Sequence, residues 1–432
     1  MEEQKVLHRG FNDGLLSLRG IAAMAVLIFH AFLTFQVAGV DVAYNVHLHY
    51  TNLERFINEF IVFLFSGSAA VVFFFVHSGF VLTLSLSKHP EHNNIKDKSI
   101  SLIAFYIKRL FRLYPMIIGS ILISLAYQKY CIHPVTDPVF STWFKNFYTE
   151  PVNLKNFMEN IFLSKFNLSP FLWSLRIEVI GSLFMPLIYL ASKRVFTTYL
   201  MCYLFYLFAN NLLPEHTLKV TFICCLFIGT LVGVLHKEIQ EYIFITKNAL
   251  QNKKRLTNNK WLKNTYSALE NRNFHVLLSL IVLIVSWSYS PTTGVAVVIE
   301  SLASAVIIYV AYYYDEGPMQ YFCNLPFIKF LGKISYSLYI LSLLCINIIG
   351  RFLFSVLSHS FIAHYGLLTN ILTTLLTIVL TIIISTITFY SIERPFMELG
   401  RYIYKSINKK LEQHNFSKNN HVEELIEPNI YA

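Results

Sequence analysis

SLRGIAAMAVLIFH, residues 17–30, decides the fold class: a long apolar run that contains one arginine and one histidine. Arg19 and His30 are eleven residues apart, and at about 100° per helical residue eleven steps return to within roughly 20° of the start. The two side chains therefore share one helix face, about 16 Å apart along the axis. Ionisable groups are expensive inside a bilayer, so such a pair marks a functional site by default. His30 falls about midway through the first expected span. A neutral imidazole there can act as a general base near neutral pH; its packing alternative is a histidine bonded to a neighbouring helix.

The rest of the chain belongs with this run. Of 432 residues, 55% are hydrophobic and only 14% charged, where a soluble chain carries nearer a quarter charged residues. Phe (38) and Tyr (26) are abundant, as in helix interfaces and headgroup belts. The net charge of +10 does not signal nucleic acid, because Lys and Arg sit in short segments between apolar runs, where they encode topology. Cysteines at 131, 202, 224, 225, 323 and 345 show no CxxC or Cys/His ligand spacing, so no metal is expected and packing is the preferred reading. The first run is too long for a cleaved signal peptide and reads as a retained signal-anchor helix.

About 20 apolar residues span the hydrocarbon core. Candidate spans lie near 15–39, 60–86, 113–130, 170–191, 195–212, 218–235, 275–290, 294–313, 334–357 and 368–391. With the N-terminus inside, 25 Lys and Arg fall in inner segments and 6 in outer loops, which the positive-inside rule favours. The expected fold is an all-α integral membrane protein, a bundle of about ten transmembrane helices with both termini cytoplasmic. Residues 1–393 form the membrane domain and 394–432 a cytoplasmic tail whose first half suits an amphipathic surface helix. The outer segment 131–169, rich in Pro and aromatics, suits a cap over an outward cavity. The inner segment 236–273, polar and basic, reads as a cytoplasmic loop.

Several segments carry chemistry. In FYIKRLFRLYP (105–115), Arg109 and Arg112 are three apart and neighbours on a helix, and two guanidinium forks suit a phosphate or diphosphate. Basic residues there also satisfy topology alone. WSLRIE (173–178) puts Ser174 and Glu178 on one face; the carboxylate needs Arg176, another helix's cation or a substrate hydroxyl, and a structural ion pair is the alternative. FFFVHSGFVL (73–82) and SYSLYIL (335–341) read first as packing, with Gly79 allowing close helix approach. In SIERP (391–395), Pro395 is expected to stop the last span, with Glu393 meeting a basic group.

Taken in order along almost the whole chain, these segments resemble the membrane-bound acyltransferase 3 family. Arg-x10-His stands as Arg19 and His30, and Arg-x-x-Arg with its proline as Arg109, Arg112 and Pro115. LWSLRIE, LGKISYSLYIL and SIERPF resemble the later motifs. The sequence departs from the pattern at Ser17, at VIGSLF after Glu178, and at Ser342. The resemblance implies an enzyme that moves acyl groups, usually acetyl, from coenzyme A onto cell-surface glycans. It implies His30 as general base or transient acyl carrier supported by Arg19, Arg109 and Arg112 as contacts for coenzyme A phosphates, and Glu178 as an orienting residue.

The expected activity is O-acetyl transfer from cytosolic acetyl-CoA to a glycan hydroxyl, the acceptor being lipopolysaccharide O-antigen, exopolysaccharide or a lipid-linked sugar. The expected place is a bacterial inner membrane, with membrane lipids as the surroundings and no nucleic acid as partner. No appended hydrolase-like domain is expected after the last span, and transfer is expected without one. A transporter or flippase of a lipid-linked glycan also suits ten helices, but inverted repeats or paired broken helices are not seen. A non-catalytic scaffold would not need Arg19 and His30 aligned.

Overall fold

Apolar runs leave backbone amides no water to bond, and a helix satisfies them within itself. The computed structural model describes residues 2–41, 52–87, 95–131, 135–150, 152–192, 217–256, 259–289 and 294–426. These form helices α1 (Glu2–Ala31), α2 (Leu53–Leu64), α3 (Gly67–Ser87), α4 (Ile95–Cys131), α5 (Thr142–Lys145) and α6 (Leu154–Ile161). Next come α7 (Leu172–Ser192), α8 (Thr217–Val234), α9 (His236–Leu256), α10 (Lys260–Glu270), α11 (Arg272–Tyr289) and α12 (Gly294–Tyr313). The last are α13 (Pro318–Cys323), α14 (Pro326–Val356), α15 (His359–His364), α16 (Gly366–Thr388) and, after a π-helical turn at Phe389–Glu393, α17 (Arg394–Ile426).

Seven of the described helical segments are long and apolar enough to cross a membrane, or eight if a bent pair within 262–286 counts as one. The seven coincide with the expected spans at 15–39, 60–86, 113–130, 170–191, 294–313, 334–357 and 368–391. The expected span 275–290 falls within the bent pair, and 218–235 contains a shorter apolar helix, Phe222–Val234. The span expected at 195–212 lies outside the described residues. The segment 236–273 is helical rather than looped, folded into α9 and α10.

Two close helix pairs organise the bundle. A Cβ on Gly20 of α1 would lie 2.5 Å from the Gly332 amide nitrogen of α14, so only glycine lets these backbones meet. Gly79 of α3 and Gly229 of α8 do the same: a Cβ on either would overlap a carbonyl of the other helix, Leu226 or Val76. The close approach read from Gly79 is thus present. On α16, Thr373, Thr377, Thr381 and Ser385 recur every fourth residue and are fully buried, along the helix that packs on α14.

α1 stops at Ala31, short of the apolar run's end at 39. Asn370 of α16 takes over the backbone here, donating to the Phe32 and Phe35 carbonyls (3.2 and 3.1 Å) and accepting from the Phe35 amide (3.0 Å). His30 therefore lies in the last turn of α1, not midway through a span. The chain beyond it pairs with the cap: Phe35 bridges Phe140, the Gln36 amide bonds the Val139 carbonyl (2.8 Å), and the Ser141 amide bonds that of Thr34 (3.0 Å).

Pro395 does not stop the last span. The Arg394 amide reaches back five residues to the Phe389 carbonyl. This wider turn shifts the register where proline lacks an amide hydrogen, and the helix continues. The tail accordingly extends α16 as α17 and packs along α4, with Gly400 against Phe111 and the Lys108 ammonium 4.8 Å above the Tyr404 ring.

Candidate active site

Helices α1, α3, α4, α7 and α14 surround a cavity of about 740 Å³, its open mouth included. Arg19, Arg109, Arg112, Ser174 and Glu178 all line it. Of the expected site residues Arg19, His30, Arg109, Arg112 and Glu178, all but His30 thus meet in one place, with Ser174 and Glu178 on the same side of α7 as their spacing required.

Most of the charge around this cavity is paired. Arg109 Nη2 donates to Glu178 Oε1 (3.0 Å) and to Ser182 Oγ (2.7 Å). Arg112 donates to Glu393, whose other carboxylate oxygen accepts from Ser337 Oγ at 2.6 Å. The Arg112 guanidinium also lies 5.1 Å over the Tyr336 ring, whose hydroxyl donates to the Leu113 carbonyl (2.9 Å). Desolvating a charge is costly unless an opposite charge and hydrogen bonds compensate, which these networks supply. Glu178 takes its cation from α4, not from the exposed Arg176. Arg19 is different: it faces the cavity with no hydrogen bond or ion pair among the described residues. Three guanidinium groups and two carboxylates leave an excess positive charge, concentrated at Arg19.

His30 does not line this cavity. Its ring packs against Phe29, Trp143 and Phe171, with centroids 4.9, 5.2 and 4.9 Å away. Phe171 in turn stacks on Tyr339 at 5.1 Å, and Tyr339, hydrogen-bonded to Ser174 Oγ (2.9 Å), lines the cavity. An aromatic layer thus stands between the Arg19 cavity and His30. His30 Nδ1 lies 2.8 Å from the Val26 carbonyl, which can only accept, so Nδ1 carries the hydrogen and Nε2 the lone pair. That is the tautomer of a base.

The cap completes the His30 end. Ser141 caps α5, accepting from the Phe144 amide (3.1 Å), and this short helix carries Trp143 onto His30. Beside it Tyr148 is buried, which pushes its phenol above the usual range and keeps it neutral. Burial likewise pushes the Cys323 thiol up to about 11. Among the described residues no group of three or more His, Cys, Asp or Glu is placed to hold a metal.

Sequence reasoning passed over His77, Ser335, Tyr336 and Tyr339, reading their segments as packing; all four line the cavity. The available signal was a histidine inside FFFVHSGF and hydroxyls at 335, 336 and 339, which fall on one side of a helix.

No curated protein and no solved structure matches the chain. A family model described as an acyltransferase domain matches residues 12–390, which takes in the cavity, the aromatic layer and the cap. The chain belongs to the acyltransferase 3 family.

Proposed function

We propose that this membrane acyltransferase moves an acetyl group from acetyl-CoA to a hydroxyl of a cell-surface glycan or of a lipid-linked sugar destined for one. The observation that carries this reading is the Arg19 guanidinium, without a partner among the described residues, in a cavity about three turns of α1 away from His30, which is held in its basic tautomer. Arg19 and the free donors of Arg109 and Arg112 offer charge-assisted bonds to the donor's phosphates. Nε2 of His30 takes the acceptor hydroxyl's proton as its oxygen attacks the thioester carbonyl. The new C–O bond forms, the C–S bond breaks, and the sulfur leaves to take up a proton as the free thiol. General-base help of this kind is worth roughly 10²–10⁴-fold. Glu178, held to Arg109, positions that guanidinium. The lysine and arginine distribution supports a donor arriving from the cytoplasmic side of a bacterial inner membrane.

The test is glycan O-acetyl content in cells that lack the protein, complemented with wild type or His30→Ala at equal abundance. Acetylation restored only by wild type is the expected result. Equal restoration by both removes His30 from the chemistry, and no change on deletion points to transport or another acceptor.

A further inference from the structure

A second hollow, of about 750 Å³ with its open side included, runs along the outside of α4. Leu110, Tyr114, Ile118 and Leu122 of α4 form one wall, and Ile392 of the π turn and Phe396 of α17 form the other. Of its nine lining residues only Tyr114 carries a polar side-chain atom. Gly119 sets the floor: a Cβ there would lie 3.1 Å from Ile392 Cδ1, so glycine lets α4 come up to the π turn. Leu110, Leu122 and Phe396 are exposed. Exposed apolar side chains on a membrane-length helix face lipid, and an apolar hollow stays dry. Hydrocarbon is therefore what fills it.

Two features select the hydrocarbon. The first is length. From Leu110 to Leu122 the groove follows about 18 Å of helix, close to half of the roughly 30 Å hydrocarbon core. That is the depth of one leaflet. The second is charge at one end. Lys108 stands one turn before Phe111, with its ammonium 4.8 Å over the Tyr404 ring, and Lys98, Arg401 and Lys405 are exposed beyond it on the same two helices. The carboxylates of 95–112 and 394–411 do not cancel this charge, since Asp97 is buried and Glu398 is held by Arg394 at 2.8 Å. At the other end α4 runs on from Leu122 through the uncharged stretch 123–128.

We infer that this groove binds one acyl chain of an anionic phospholipid, whose phosphate meets Lys108 and the exposed basic residues of α17. The site is separate from the active-site cavity and does not depend on the acyl-transfer reading. Ile392 lines the groove while the next residue, Glu393, pairs with Arg112 at the cavity, so a bound lipid braces the turn that carries this ion pair.

The test is native mass spectrometry of the full-length protein, delipidated in detergent and titrated with phosphatidylglycerol or with phosphatidylcholine of the same chains. Wild type is expected to retain phosphatidylglycerol in preference to phosphatidylcholine. Lys108→Gln is expected to weaken phosphatidylglycerol binding about fivefold, as for one lysine at an anionic lipid surface, with phosphatidylcholine unchanged. Ile118→Trp and Leu122→Trp fill the groove from its exposed wall and are expected to weaken both lipids, whereas Leu187→Trp, on the exposed side of α7, changes neither. Equal retention of the two lipids by wild type overturns the inference, as does wild-type binding by both groove-filling variants. A lipid-free dimer that Ile118→Trp splits assigns the groove to a second copy of the chain and overturns it as well.

Discussion

The two ends of the Arg19–His30 stretch of α1 present opposite environments on one helix face. Around Arg19 the neighbours are charged or hydroxylic: Arg109 with Glu178, Arg112 with Glu393, and the serines at 174 and 335. Around His30 they are aromatic: Phe29, Trp143 and Phe171. The first suits binding an anion, because excess positive charge sits where little water competes. The second suits a neutral imidazole that must take up a proton and then release it. Sharing a helix face therefore put the two residues on one line without putting them in one chamber, and the Phe171–Tyr339 stack is the boundary.

The largest effect belongs to the charged end. Glu393 has a fully buried side chain and compensates Arg112. Glu393→Ala leaves that guanidinium without its carboxylate and is expected to cost roughly 3–5 kcal/mol of stability, read as a lowered midpoint of thermal unfolding in detergent. An unchanged midpoint would mean the pair is not what holds α4 to the π turn, and the contrast between the two ends would weaken.

A smaller effect tests the boundary. Phe171→Leu keeps an apolar side chain and is expected to cost about 1 kcal/mol of stability. Thinning the layer lets water reach the thioester, so acetyl-CoA hydrolysis should rise relative to acetyl transfer in a reconstituted assay. If the ratio of hydrolysis to transfer stays at the wild-type value, the stack is packing and not a boundary.

Much of the architecture was legible because span length and apolar content are local properties. Seven expected spans coincide with described membrane-length helices. The helical neighbours Arg109 and Arg112, and Ser174 with Glu178, reach one cavity as their spacings implied. What was hidden depends on distant partners. Glu178 meets Arg109 from 69 residues away and Glu393 meets Arg112 from 281, and no local pattern encodes such pairings. α1 ends at Ala31 because Asn370 captures the Phe32 and Phe35 backbone, although the apolar run continues. Pro395 reads locally as a helix stop, yet the preceding π turn absorbs its missing hydrogen bond. His77 and the SYSLYIL hydroxyls looked like packing because only the folded bundle shows which side of a helix faces a cavity.

Steady-state transfer by reconstituted wild type, Arg19→Gln and His30→Gln tests the division between the two ends most directly. The account predicts that Arg19→Gln raises the KM for acetyl-CoA with a smaller change in kcat. His30→Gln is predicted to lower kcat by roughly 10²-fold or more while leaving acetyl-CoA binding intact. Loss of the same parameter in both variants, or full activity in His30→Gln, would contradict it.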